Sequence, residues 1–341
     1  MDFIALTRAL VDLDSTTGKE KPVVDYLFAH LSTLAAEHDG RLERMSAAPE
    51  RDNLFLTFGD PIVTLSTHMD TVPPYFSSSD NGTYIRGRGA CDAKGIIAAM
   101  IASAESLLAA GTRNFALLFV VGEERDSAGA KAAARSPRGS RFLINGEPTQ
   151  NRVALGSKGA LRFEMIARGK LAHSAYPELG HSAIHSLLDL LGDIRAIPLP
   201  SDSLLGQSTL NVGTIHGGRA PNVVADEACA EIMFRLVGDA DPLRAAVARA
   251  ASEHKVEARE VLHCSAVRLS AIEGLPTTVV AFTTDIPTFN GAWGRPFLLG
   301  PGSIHHAHTA EEHVEKKELS DAVGIYSQMV RQLLTTGAAP S

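Results

Sequence analysis

Cysteine is scarce in this chain of 341 residues, with only Cys91, Cys229 and Cys264. They are too few and too widely spaced for a disulfide framework or a zinc knuckle, and the expected setting is the reducing cytoplasm. Positive charge is also short. Lys and Arg number 32 against 39 Asp and Glu, a formal net charge of −7. Without a basic stripe to neutralise phosphates, non-specific nucleic-acid binding is excluded. No run of roughly 18 or more apolar residues occurs, so no membrane span is expected. The opening Met1-Asp2-Phe3-Ile4-Ala5-Leu6-Thr7-Arg8 lacks the basic-then-apolar order of a secretory signal. Repeats and low-complexity segments are absent too. What is present is a globular composition, 45% hydrophobic, with length for one large or two modest cores.

The first third alternates helical and extended patterns. Residues 2–13 and 22–36 carry helical periodicity, with Pro22 suited to a first turn. Residues 53–58 and 62–67 read as strands about the turn Gly59-Asp60-Pro61. Residues 93–110 read as a buried helix that stops at Gly111, and 115–121, 128–134 and 141–145 continue as strand, helix and strand. This rhythm predicts an α/β fold, a mostly parallel sheet with helices on both faces. Beyond residue 157 the pattern changes. Strands at 161–168, 208–214, 227–237 and 256–264 and helices at 181–194 and 242–253 follow the β-α-β-β-α-β order of a split βαβ sandwich. Strands at 278–283 and 296–299 and a helix near 318–334 then restore the first pattern. The expected organisation is a larger domain of residues 1–157 and 267–341, interrupted by an α+β domain of residues 158–266. The loop 198–207 is expected to be a flexible connection, and an edge strand of the insert is free to pair.

Acidic and histidine residues stand at the ends of the apolar runs. His68 and Asp70 follow Ile62-Val63-Thr64-Leu65-Ser66-Thr67, and Glu123 and Glu124 follow Phe115-Ala116-Leu117-Leu118-Phe119-Val120-Val121. Glu147 follows Phe142-Leu143-Ile144-Asn145, and Asp92 lies between Gly89 and Gly95. Ligands of open α/β sheets gather beyond the carboxyl ends of the strands. If these strands are neighbours, the shared negative charge needs a cation or protons, which predicts a metal site. Each residue also has a plainer reading. His68 fits a hydrogen-bonded core histidine, Asp92 a helix N-cap, and Glu123-Glu124 a solvated pair. The loop from Gly300 to Thr309 adds His305, His306 and His308, a tract that fits either a ligand or an exposed surface.

Four stretches in chain order carry a resemblance. Ser66-Thr67-His68-Met69-Asp70-Thr71-Val72-Pro73, Gly87-Arg88-Gly89-Ala90-Cys91-Asp92-Ala93-Lys94-Gly95, Gly122-Glu123-Glu124 and Gly146-Glu147-Pro148-Thr149 resemble the motifs of a co-catalytic zinc hydrolase family. That family contains acetylornithine deacetylase, succinyl-diaminopimelate desuccinylase, aminoacylase and glutamate carboxypeptidase. The resemblance spans nearly the whole chain and implies a zinc-exopeptidase-like sandwich with an inserted dimerisation domain. It implies two Zn(2+) ions, one held by His68, Asp92 and Glu147 and the other by Asp92, Glu124 and His308. Carboxylate-rich sites also take Co(2+) or Mn(2+). Asp70 would orient His68, and Glu123 would serve as general acid/base. His308 is preferred to His305 and His306 because Ala307-His308-Thr309-Ala310-Glu311-Glu312 matches the family's last ligand motif, with Ala310 where the family usually has Pro. His173, in Gly169-Lys170-Leu171-Ala172-His173-Ser174-Ala175-Tyr176-Pro177, resembles the histidine that stabilises the oxyanion in a partner subunit's site. Asn222, Arg235 and Gly302 resemble substrate-binding positions, although Ala225 replaces a proline common near Asn222.

The resemblance implies a homodimer that hydrolyses the amide of a small N-acyl amino acid, and N-acetyl-L-ornithine is the first expected substrate. The Ala90-Cys91-Asp92 variant favours that branch. A dipeptidase, carboxypeptidase or desuccinylase would share every metal residue, and a non-catalytic metal-binding protein is the remaining alternative.

Overall fold

The computed structural model describes residues 2–338, which separate into two compact units. The first runs to Leu155 and resumes over Leu269–Thr278 and from Thr284 onward, and the second comprises Gly156–Arg268 with Val279–Thr283.

The first unit is built on a six-stranded sheet. Its order is Arg41–Ala48, Arg51–Phe58, Phe115–Val120, Val63–His68, Phe142–Asn145 and Arg295–Leu298. Pairing is antiparallel over the first three strands and parallel from Phe115–Val120 to Arg295–Leu298. The strand Phe115–Val120 shows why the sheet is covered on both faces. Phe115, Leu117 and Phe119 enter one apolar core with Leu27, Leu31, Ile97, Met100 and Tyr326, whereas Ala116, Leu118 and Val120 enter another with Phe55, Leu143, Phe289 and Trp293. A continuous apolar run is what a strand buried on both faces requires. Helices Phe3–Val11, Lys21–Glu37, Gly95–Ala109 and Lys316–Ala338 supply the first core. Ala128–Arg135 lies on the second, where the fully buried Trp293 donates Nε1–H to the carbonyl of Ala133 at 2.9 Å.

The second unit holds a four-stranded antiparallel sheet, ordered Thr209–Gly217, Glu227–Leu236, Gly159–Arg168 and Val256–Cys264. Along Glu227–Leu236, Ala228, Ala230, Ile232, Phe234 and Leu236 are buried. They pack with Leu187, Leu190 and Leu191 of Ala183–Ala196 and Leu243 and Val247 of Asp241–Glu253. The strand Thr209–Gly217 at one edge is largely exposed.

Several details differ from the pattern in the sequence, three of them instructive. The strand Arg41–Ala48 was not anticipated, because as an edge strand it buries only Met45 and its alternation is carried by charged residues. The segment expected to be a flexible connection instead forms a hairpin pairing Ser201–Asp202 with Gly206–Gln207. There Asp202 Oδ1 accepts the N–H groups of Leu204 and Leu205, both at 2.8 Å. The long helix begins at Gly95, after an irregular turn over Ala90–Lys94. Among the described residues no helix is long and apolar enough to cross a membrane.

Candidate metal centre

The topology places three of the predicted segments side by side. Val63–His68 pairs in parallel with Phe115–Val120 on one side and Phe142–Asn145 on the other. His68, Glu123-Glu124 and Glu147 therefore leave the sheet at the same edge, the carboxyl ends of adjacent strands.

Asp92 arrives there by a different route. Its carboxylate does not cap the following helix, whose N-cap is Lys94 without a side-chain bond. Glu312 shapes the turn instead. Its Oε1 accepts the N–H groups of Gly89, Cys91 and Asp92 at 2.9, 3.2 and 3.1 Å, and its Oε2 accepts from Arg88 Nη1 at 2.5 Å. Gly95 is required beneath this turn, since a Cβ there would lie 2.4 Å from the carbonyl oxygen of Ala90.

Asp92 presents one oxygen to each of two imidazoles. Oδ1 is 2.9 Å from His68 Nε2, and Oδ2 is 3.5 Å from His308 Nε2. His308 Nε2 also lies 3.0 Å from Glu124 Oε1. His68, Asp92 and Glu124 each offer a ligand atom within 4.8 Å of the others. Of the three histidines in the loop, His308 is the one brought to these carboxylates. The His306 ring stacks on that of His313 with centroids 4.0 Å apart, and His305 is exposed.

Asp70 ties the centre together from behind. Its oxygens accept the N–H groups of Gly122, Glu123 and Glu124 at 2.9, 3.1 and 3.3 Å and the Thr17 hydroxyl at 2.8 Å. His68 Nδ1 lies 3.0 Å from the backbone oxygen of Asp70 and 3.7 Å from its Oδ1. A ring proton on Nδ1 then leaves the lone pair of Nε2 facing the lone pairs of Asp92, an arrangement that a proton or a cation must occupy.

The electrostatics carry the same message. Burial and the neighbouring Glu147 push Glu123 well above the carboxylate range, and burial and Asp92 do so for Glu147. Burial raises Glu124 also. Asp92 is held below its usual value because the hydrogen bonds from His308 and His68 outweigh its burial. Those to Asp92 and Glu124 raise His308 to about 10. Burial would lower His68, yet Asp70, Asp92 and Glu147 drive it well up. Without a metal, these directions favour protons on Glu123, Glu147 and the two imidazoles, with Asp92 ionised between them. Imidazole and carboxylate donors suit a divalent cation, and the residues present fit a metal centre.

Asp285 was not anticipated. It is 1% exposed, and burial raises it to about 6 although Ser127 hydrogen-bonds to it and Lys131 lies near enough to oppose the shift. Its charge raises Glu123 and Glu147 further. The only local signal was an acid before Ile286-Pro287, which reads as an ordinary helix start. The supporting role of Glu312 was likewise missed, although the residue lies within the last quoted motif.

The remaining expected residues lie elsewhere. Gly302 is buried at φ +82°, where a Cβ would come within 2.5 Å of Cys91 Sγ. His173, Asn222 and Arg235 belong to the second unit. His173 and Asn222 are exposed, and Arg235 is half-buried on Glu227–Leu236.

Known proteins agree with this architecture. The model of peptidase family M20/M25/M40 matches residues 64–332. A peptidase M20 domain-containing protein of Schizosaccharomyces pombe is 37% identical over 96% of this chain and 84% of its own length. An Aspergillus terreus protein named as a probable carboxypeptidase is 34% identical over 96% and 86%. The fold is shared with an M20 family metallo-carboxypeptidase of Sulfolobus solfataricus, at TM-score 0.80, 15% identity and coverage of 98% and 99%. A dinuclear metal binding peptidase of Bacillus subtilis also shares it, at TM-score 0.69, 13% identity and coverage of 98% of each chain. With that match running from the strand that carries His68 into the final helix, this chain belongs to peptidase family M20/M25/M40 and is a hydrolase.

Proposed function

We propose that this protein hydrolyses an amide bond in a short peptide or N-acyl amino acid, using two divalent cations at the strand-end cluster. The observation that carries the reading is the convergence of His68, Asp92, Glu124 and His308, with Asp92 turning one oxygen toward each imidazole. A carboxylate so placed suits a bridge between His68 with Glu147 on one side and Glu124 with His308 on the other. Zinc is the proposed metal, and cobalt and manganese suit the same donors. When bound, such ions polarise the scissile carbonyl and bring the pKa of a water toward ~7.

Glu123 is the proposed general base. It is half-buried, its proton affinity is raised by burial and by Glu147, and its N–H is fixed by Asp70. A carboxylate poised toward neutrality can take a proton from the attacking water and return it to the departing amine. Asp70 positions both His68 and the turn that bears Glu123. For His173 we retain the role of oxyanion donor, supplied by a second copy of the chain. Its Nδ1 accepts the N–H of Ala175 at 3.1 Å, so the ring proton resides on Nε2 and can be donated. The exposed edge strand Thr209–Gly217 is the proposed site of pairing between copies. Asn222 and Arg235 remain candidates for the substrate carboxylate.

The preference for N-acetyl-L-ornithine rested on Cys91, and that thiol is fully buried against the carbonyl of Ser303 at 3.4 Å. The names of the relatives favour a peptide with a free carboxyl end. Turnover of a dipeptide panel against N-acetyl-L-ornithine by the zinc-loaded protein tests the reading. The expected result is dipeptide hydrolysis that a chelator abolishes. Elemental analysis finding no divalent metal after loading would overturn it.

A further inference from the structure

We propose that a pocket beside His308 is a subsite for an acidic side chain of the substrate, an inference that rests on the amide-hydrolase reading above. The pocket encloses ≈ 500 Å³ within the first unit. Arg86, Arg88, His308, Phe76 and the hydroxyls of Ser77–Ser79 line it, and none of its lining residues is a carboxylate. This is the reverse of the neighbouring metal centre, where Asp92, Glu123, Glu124 and Glu147 crowd together. Such a lining complements an anion.

The two guanidiniums are held in place. Arg88 is 1% exposed, its Nε donates to the carbonyl of Pro74 at 3.1 Å, and its Nη1 is bound by Glu312. Arg86 Nη2 donates to the carbonyl of Ala310 at 2.9 Å and to Glu311 Oε1 at 3.1 Å. Glu311 is 78% exposed, so water screens that partner and leaves much of the charge of Arg86 uncompensated. Both groups lie over the Phe76 ring, at 5.5 Å for Arg86 and 5.1 Å for Arg88. A planar fork pinned in this way loses little freedom on meeting a carboxylate. Ser78 is already committed to Asp12, through its N–H at 2.7 Å and its hydroxyl at 3.1 Å, whereas Ser77 and Ser79 are exposed.

Size separates a side chain from a bare carboxylate. A volume of ≈ 500 Å³ is far more than a terminal carboxylate fills, and the Phe76 ring offers an apolar wall for methylene groups. His308 is shared with the metal cluster, so a side chain seated here belongs to a residue next to the scissile bond.

The test compares Ala-Glu and Glu-Ala with Ala-Gln and Gln-Ala on zinc-loaded protein. Calorimetric binding of the same peptides to the Glu123→Gln variant provides a readout that needs no turnover. One acidic peptide is expected to exceed its amide by roughly tenfold to a hundredfold in both kcat/KM and affinity. Ser77→Glu adds a negative charge at an exposed lining position and is expected to erase that ratio, and Arg86→Met to reduce it. A ratio near one in the unaltered protein, or one that survives Ser77→Glu, would overturn the proposal. So would equal affinity for Ala-Glu and Ala-Gln with both lost on C-terminal amidation, which would assign the pocket to the chain terminus. If no peptide is cleaved while the Glu-to-Gln affinity ratio persists, the subsite stands and the amide-hydrolase reading falls.

Discussion

Glu123 and Glu124 are adjacent in the chain, yet the structure gives them different company. Glu124 meets His308, and Glu123 feels mainly its burial and Glu147. Replacing Glu123 with Gln should therefore lower kcat by about 10²–10⁴-fold while leaving metal content unchanged, as measured by steady-state kinetics beside elemental analysis. His308 makes a second prediction, on pH. Its folded pKa of about 10 lies above the ordinary value of 6.5, so the folded state holds its proton more tightly than the unfolded state. In metal-free protein this stabilisation is complete below pH about 6.5 and disappears as pH rises through about 10. The melting temperature of chelator-treated protein should exceed that of His308→Ala at pH 6 and converge with it near pH 10. At this scale the site was largely legible, because His68, Asp70, Glu123, Glu124 and Glu147 sit directly behind apolar strands. Asp285 was not, because its effect depends on burial, which no neighbouring residue in the sequence announces.

The irregular turn Ala90–Lys94 is an element that does not hold its own shape. Three backbone N–H groups in and just before it, those of Gly89, Cys91 and Asp92, are met by Glu312, more than 200 residues away, and that carboxylate is paired with the buried Arg88. Above pH about 7, the value to which burial raises Glu312, Glu312→Gln would leave a guanidinium that is 1% exposed without its counter-charge. A loss of about 3–5 kcal/mol is expected in denaturant titration, with weaker metal uptake because Asp92 loses its support. Glycine spacing and the acid at position 92 were readable locally, but the partner that shapes the turn comes from a distant loop, which explains why its role escaped sequence reasoning. Elements with a strong apolar period were recovered, such as Phe115–Val120 and Gly95–Ala109. The edge strand Arg41–Ala48 has one buried side chain and left no such trace.

For the whole molecule, the proposed function draws its residues from both units. The ends of adjacent parallel strands, the turn at Asp92 and the loop at His308 all belong to the first unit, whereas His173 belongs to the second. The order of elements in both was legible because helix and strand periods differ so clearly. The recruitment of Val279–Thr283 into the second unit was not, since a short half-buried stretch carries no sign of which core it joins. If a second copy provides His173, the His173→Ala and Glu123→Gln variants mixed together should recover activity that neither has alone, and sedimentation should show the dimer. A mixture of His173→Ala with Glu123→Gln that gains no activity over the separate variants would count against exchange of that histidine.

Because the candidate metal ligands all lie within one folded unit, uptake of metal and turnover of substrate need not follow the same concentration law. If His173 comes from a second copy, diluting the metal-loaded protein should leave its divalent metal in place while the rate per chain declines.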